Sequence, residues 1–289
     1  MSQVVTNPLQ ILTPPYERLK TCRGAPSGDP ALTDARGAGL VWHLSEPISQ
    51  RQLESVRTRP RGVSLVVVLP EHTHIRLPSA ILRVIELCRP QSILPYHQST
   101  CVEDLKTALR RPPSDLATEV LDYLTWRGMI MSITIRQLVR RTLHLSRELR
   151  TVKSLSRALY LSRRALGRKY SSACIPVPSH WLQLGRLLRA TIRIQNSDDS
   201  LFVVALALGY PDGFALSNQM HRLLGVRPSE VRDRLGWEWV LEAWIESESK
   251  SEGFGQTSRA QTDRRPVNPP APEEPEDTPA TSRPDHGLA

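Results

Sequence analysis

Between Ala205 and Glu230 the chain reads ALALGYPDGFALSNQMHRLLGVRPSE, and the fold of its C-terminal half turns on this stretch. Leu201, Val204, Ala205 and Leu208 fall on one face of a short helix that stops at Gly209, a residue suited to a left-handed backbone. Asp212 stands where it can cap the free N–H groups of a following helix. Leu216, Met220 and Leu223/Leu224 then form the inward stripe of that second helix, closed by Gly225 and Pro228. A small residue, Ala205, four positions before a glycine turn lets two helices cross closely. Those are the sterics of a helix-turn-helix, which sets its second helix proud of the surface where it can enter a major groove. The spacing alone fits a bare helical hairpin equally well.

A second copy tips the balance. Thr151 to Ala173, TVKSLSRALYLSRRALGRKYSSA, offers Leu155, Ala158 and Leu159, a turn over Tyr160-Leu161, and Ser162 as N-cap. The next helix carries Leu166 and Tyr170 inward and Arg163, Arg164, Arg168 and Lys169 outward. Four cations on one short helix often make only a solvated face; beside a capped turn, phosphate contact is the better explanation. Between the copies a longer helix, about Ser179 to Ile194, spans roughly 24 Å at 1.5 Å per residue and suits a rigid spacer. From Ile135 to Ile194 fourteen Lys/Arg stand against Glu148 alone, in a chain whose overall charge is +9.

With both units in place, the segment from about Val152 to Arg232 resembles the DNA-binding domain of AraC/XylS-type transcription regulators, two helix-turn-helix units joined by a long helix. The second unit matches through Ser200, Ala205, Leu208-Gly209-Tyr210, Asp212, Gly225-Val226, Pro228-Ser229 and Arg232, with Leu216 and Met220 where the family commonly has Phe. The first fits through Leu155, Leu159, Ser162-Arg163-Arg164, Leu166 and Arg168. Trp181-Leu182 and Arg186-Leu187-Leu188-Arg189-Ala190 resemble the linker helix of one branch. In the first unit Ser156 and Tyr160 replace the usual Ala and Gly, and a Tyr at positive φ is strained, so that turn is expected to differ in shape. In the second, Gly213, Phe214 and Ala215 replace the usual polar residues. Base reading there falls to Asn218, with Arg222, His221 and Ser217, and apolar contact to thymine methyls.

The N-terminal half has a different rhythm. Leu40 to Leu44 suggests a strand and Ile48 to Val56 a helix. VSLVVVLP (Val63 to Pro70) is a β-branched run of the kind buried on both faces of a parallel sheet. Ala80, Ile81, Val84, Ile85 and Cys88 fall at helical spacing, QSIL (Gln91 to Leu94) offers a strand, and Val102 to Leu109 a helix. This faintly resembles the receiver domains of bacterial response regulators, but the acidic chemistry of a receiver is missing. The central strand runs into Leu69-Pro70-Glu71, and only Glu46 follows Val41-Trp42-His43-Leu44. In Glu71-His72-Thr73-His74 two histidines could share a metal from a strand, yet no third ligand is near and a polar loop is the simpler reading. No phosphate-binding glycine loop and no catalytic serine or zinc motif occurs, so neither enzyme nor cofactor is expected.

Composition sets the remaining expectations. In 289 residues, 39% hydrophobic and 23% charged, the basic excess is mostly Arg, which favours planar anionic partners. Cys22, Cys88, Cys101 and Cys174 are scattered, as reduced thiols would be. No apolar run is long enough to span a membrane and the N-terminus has no secretory pattern, so a cytoplasmic protein is expected, and the resemblance to AraC/XylS-type regulators implies a bacterial one.

The expected architecture is α+β multidomain: a small, doubly wound, receiver-like α/β domain, then an all-α double helix-turn-helix domain, with disordered termini. Its parts are a flexible segment 1–38, the α/β sensing or docking domain 39–112, connecting helices 113–150, the DNA-binding domain 151–246 and a Pro/Ser/Glu-rich tail 247–289, whose acidic cluster (Glu273, Glu274, Glu276, Asp277) reads as solubilising. The expected function is sequence-specific regulation of transcription on double-stranded DNA, with RNA polymerase and a second copy of the chain as candidate partners, an unknown effector and no membrane. The rivals are an adaptor that kept the fold without binding DNA, and a degenerate phosphorelay output protein.

Overall fold

VSLVVVLP builds the middle of a sheet. The computed structural model describes residues 9–33, 36–45, 47–70, 79–95, 101–251 and 254. Three parallel strands, β3 (Gly39–His43), β4 (Ser64–Val68) and β5 (Ser92–Leu94), alternate with α2 (Gln50–Arg57), α3 (Ser79–Cys88) and α4 (Val102–Arg110). Every residue of β4 is buried, because both faces are covered. Leu65 and Val67 pack with Leu53, Val56, Ile81 and Val84 of α2 and α3; Val66 and Val68 pack with Leu105, Ala108 and Leu109 of α4. Period-2 alternation thus serves two apolar layers at once.

The sheet is mixed. Its order is β2-β1-β3-β4-β5, with β1 (Leu9–Leu12) antiparallel to both β2 (Leu19–Thr21) and β3. This corrects the expectation of a flexible segment over 1–38: a 3₁₀ turn (Pro26–Gly28) and a short helix, α1 (Pro30–Thr33), continue the fold beyond the hairpin. Strands of three and four residues among prolines and glycines show no sustained period. They are held by pairing with β3 and by burial of Leu9, Ile11 and Leu12.

From Leu116 to Lys250 the chain is helical: α5 (Leu116–Trp126), α6 (Ile133–Leu145), α7 (Val152–Ala158), α8 (Arg163–Ser172), α9 (Pro178–Asn196), α10 (Leu201–Ala207), α11 (Gly213–Leu224), α12 (Pro228–Arg232) and α13 (Glu238–Lys250). One hydrophobic cluster draws residues from α5 through α13, and α9 touches α6, α8, α10, α12 and α13. Helices α5 and α6, expected as connectors, are structural members of this block. Trp181 of α9 meets Trp244 of α13 edge-on at 5.0 Å, and Trp244 meets buried Phe254 at 5.9 Å. Helix α13 runs past the expected boundary at 247, to Lys250, and buried Phe254 packs edge-on against its Trp244.

The two halves meet across a buried ionic and aromatic seam. Arg89, just after α3, pairs with Glu238 at the start of α13 and with Glu119 of α5 at 2.8 Å. Its guanidinium also lies 5.2 Å from the Tyr123 ring and 5.7 Å from Trp237. The Tyr123 hydroxyl donates to Glu242 at 2.8 Å and accepts from the Gly62 amide at 2.8 Å. Burial, and then Glu242 and Glu238, push that phenol well above its ordinary pKa, so it stays a donor. Arg127 closes on Glu242 at 2.6 Å, and Arg59 lies over the Trp126 ring at 4.3 Å.

Removing one member of a buried pair leaves an uncompensated charge, at a cost of about 3–5 kcal/mol. We expect Arg89→Met to lower stability by about that much in chemical denaturation, and Arg89→Met combined with Glu238→Met to cost clearly less. A double variant as unstable as the single one counts against the charge-pair account.

Candidate nucleic-acid interface

Helices α7 and α8 form the first candidate reading unit. Thr151 caps α7 by accepting from the Ser154 amide at 3.1 Å, and Ser162 caps α8 by accepting from Ala165 at 3.1 Å. Leu155, Leu166 and Tyr170 are buried, and the Tyr170 hydroxyl bonds Thr142 of α6 at 2.7 Å, which pins α8 to the block. This inward anchoring leaves Arg163, Arg164, Arg168 and Lys169 exposed, and among the described residues none of the four side chains has a hydrogen bond or ion pair.

Helices α10 and α11 repeat the plan. Ser200 accepts from Val203 at 3.3 Å and Asp212 from Ala215 at 2.7 Å. Leu216, Met220 and Leu224 turn inward and Gly225 ends α11 at φ 67°. Asn218, His221 and Arg222 are exposed, and Ser217 is half-buried. At the start of α11, Phe214 is 75% exposed, and Phe202 and Leu206 of α10 are exposed as well.

The two turns share one hydrogen-bond pattern. In the first, Leu161 donates to Ser156 O at 2.9 Å and Tyr160 to Arg157 O at 3.0 Å; in the second, Tyr210 donates to Ala205 O at 2.9 Å and Gly209 to Leu206 O at 3.0 Å. The first turn was expected to differ in shape, and it does not. Tyr160 takes φ 54° where Gly209 takes 76°, with its side chain 92% exposed, and buried Ser156 turns its hydroxyl back onto Lys153 O at 3.0 Å. The non-glycine position carries the strain without changing the geometry.

Helix α9, 19 residues and about 28 Å long, separates the units and is fixed at several points. A Cβ on Gly185 would overlap Ser146 Oγ, so α6 and α9 touch at backbone distance there, and Arg189 donates to Leu143 O at 2.9 Å across the same crossing. Arg232 donates to Ser197 O and Asp199 O at 2.9 and 3.0 Å, closing the end of α9 against α12. Arg186 lies over the Tyr210 ring at 5.0 Å.

Some of the positioning residues gave no periodic signal. Arg150 fills the space beside Gly209 that a Cβ would need, and Arg36 of the sheet half donates to Leu224 O at 3.0 Å, at the end of α11. Glu71, His72 and His74, Glu46 and the acidic tail cluster lie outside the described residues. Among the described residues no group of three or more His, Cys, Asp or Glu could hold a metal, and no helix is long and apolar enough to cross a membrane.

Residues 155–234 match the family model described as a helix-turn-helix domain. This segment is a DNA-binding domain of the AraC type. No curated protein is similar to the chain at a significant level. The AraC-type domain takes in most of α7 and everything from α8 to α12, so both reading units and the linker fall within it. It is a regulatory DNA-binding module, and the α5, α6 and α13 helices that complete its core lie outside the matched span.

Two outcomes follow from this geometry. Tyr160→Gly removes a strained conformation and sacrifices almost no packing, so it should stabilise the chain by up to about 1 kcal/mol in denaturant titration; a destabilisation contradicts the strain argument. His180 at the start of α9 pairs with buried Glu248 at 2.8 Å, and this bond raises its pKa despite burial and the nearby Arg222. A raised folded-state pKa contributes stability in full below the unfolded value, near 6.5, and loses it as pH climbs through the folded value. The melting-temperature gap between the wild type and His180→Gln should therefore be widest near pH 6 and close toward pH 9.

Proposed function

We propose that the chain regulates transcription by placing α8 and α11 in adjacent major grooves of double-stranded DNA. The observation that supports this best is the repeated turn, with the same caps and the same hydrogen bonds, carrying two helices whose outer faces are exposed. Helix α8 supplies the electrostatic share through Arg163, Arg164, Arg168 and Lys169, which suit phosphate contact. Helix α11 reads bases through Asn218 and Arg222, with Ser217 and His221 beside them, while Phe214 and Ala215 meet thymine methyl groups. The α/β half, 39–112 together with the β1–β2 hairpin, is the sensing or docking part, and Arg36 is its direct hold on α11. In this reading the protein works in the bacterial cytoplasm, with RNA polymerase and a second copy of the chain as partners.

One observation favours a second reading. Phe214 of α11 and Phe202 of α10 are both exposed on the second unit, which suits protein docking by a domain that no longer binds DNA.

A salt titration separates the readings. The full chain should bind duplex DNA with log K falling linearly in log salt. Arg163→Ala with Arg164→Ala should reduce that slope by about one unit for each phosphate the variant no longer neutralises. Selection from random duplexes should return two boxes about 10 base pairs apart. An unchanged slope removes α8 from the interface, and no duplex binding at low salt leaves the docking reading in possession.

A further inference from the structure

Between the end of α4 and the flank of α9 lies a cleft that neither the sheet core nor the reading helices use. It consists of two adjoining cavities of about 550 and 570 Å³, which share Pro112, Asn196 and Ser197 in their walls. Across both walls stand seven arginines and only two carboxylates, Asp115 and Asp198. A concave wall of one charge sign concentrates potential and raises the local concentration of counter-charged solutes.

Four of the seven arginines are committed to the protein itself. Arg140 pairs with Asp115 and Arg193 with Asp199, while Arg189 and Arg232 donate to backbone carbonyls. The side chains of Arg110, Arg111 and Arg147 have no hydrogen bond or ion pair among the described residues, nor does His144. They divide between the cavities, Arg110 and Arg111 in one, Arg147 and His144 in the other. Pro112, Leu116 and Ile192 supply an apolar floor. Free cations at two ends, a partly apolar floor and this volume suit a small molecule with two separated anionic groups.

We propose that this cleft binds a small organic polyanion carrying two or more phosphate or carboxylate groups, and that its occupancy changes affinity for DNA. The walls explain the coupling. One side is the end of α4, which belongs to the sheet half; the other is the end of α9, shortly before α10 opens the second reading unit. A ligand that bridges them biases where that unit sits, and the coupling is reciprocal. The binding claim stands on the cleft alone, whereas the effect on DNA rests on the proposed DNA-binding function.

The test uses the full chain with inorganic pyrophosphate and with citrate as probes, against sodium chloride at matched ionic strength. At ten times its dissociation constant the effective probe should raise the melting temperature by about 3–6 °C, and which probe works assigns phosphate or carboxylate chemistry. Arg111→Ala with Arg147→Ala should weaken that probe at least tenfold and leave the unliganded melting temperature unchanged, since both side chains are exposed and unbonded. Arg163→Ala with Arg164→Ala should keep the shift. Loss of the shift in the α8 variant and its survival in the cleft variant places the anion on the DNA-facing helix and overturns the proposal, as does no shift with either probe. At constant ionic strength the same probe should change the DNA dissociation constant at least fivefold in the wild type and not in the cleft variant. An unchanged constant overturns the coupling, whereas absence of any DNA binding defeats the proposed function and leaves the melting result to decide the cleft.

Discussion

The Arg89–Glu238 pair is the constraint on which the assembly of the two halves rests. Glu238 is fully buried at the first turn of α13, where a negative charge also suits the helix dipole, and its compensating cation comes from the other half of the chain. Arg89 reaches it from a left-handed backbone position, φ 46°, immediately after α3, and spends its second nitrogen on Glu119. Three elements from two halves of the chain thus converge on one guanidinium. A buried charge tolerates few arrangements, so the pair specifies a single docking of the sheet against the helical block more than it adds net stability. The Tyr16 hydroxyl, which donates to Gly37 O and accepts from the Leu235 amide, fixes the same seam from the opposite face of the sheet.

Rigidity matters because a reading helix carries sequence information only if its angle to the duplex is fixed. Helix α8 is held by its own cap and by the Tyr170–Thr142 bond; α11 is held by its cap, by Arg150 behind the turn and by Arg36 at its far end. The first unit is anchored wholly within the helical block. The second is touched by both halves, through Arg150 and Arg36.

How much of this was legible in the sequence varies with the range of the interactions. The strands β3, β4 and β5 and the helices around them were readable because β-branched runs and i, i+3, i+4 spacings are local records of burial. The hairpin β1–β2 was not, because four residues carry too little pattern and its order comes from β3, some thirty residues away. The ionic seam was invisible for the same reason on a larger scale, with Arg89 and Glu238 separated by 149 positions. Tyr160 shows the opposite error. Its identity argued for a different turn, yet the capped helices on either side impose the left-handed conformation, and tertiary context overrides the residue's own preference.

Counting charge along the chain also overstates what is available to a nucleic acid. The excess between Ile135 and Ile194 includes Arg136 and Arg140, which face Asp122 and Asp115 just across the α5–α6 hairpin, outside the counted window. It includes Arg189, whose bonds are to Leu143 and Ser146 and whose burial lowers its pKa, and Arg193, held by Asp199. Subtracting these leaves Arg141, Arg147 and Arg150 exposed on α6 and just after it, half-buried Arg186 on α9, and six exposed, unpaired cations on α7 and α8: Lys153 and Arg157, then Arg163, Arg164, Arg168 and Lys169. Structural arginines cross-brace the helices, and most of the free ones collect around a single capped turn.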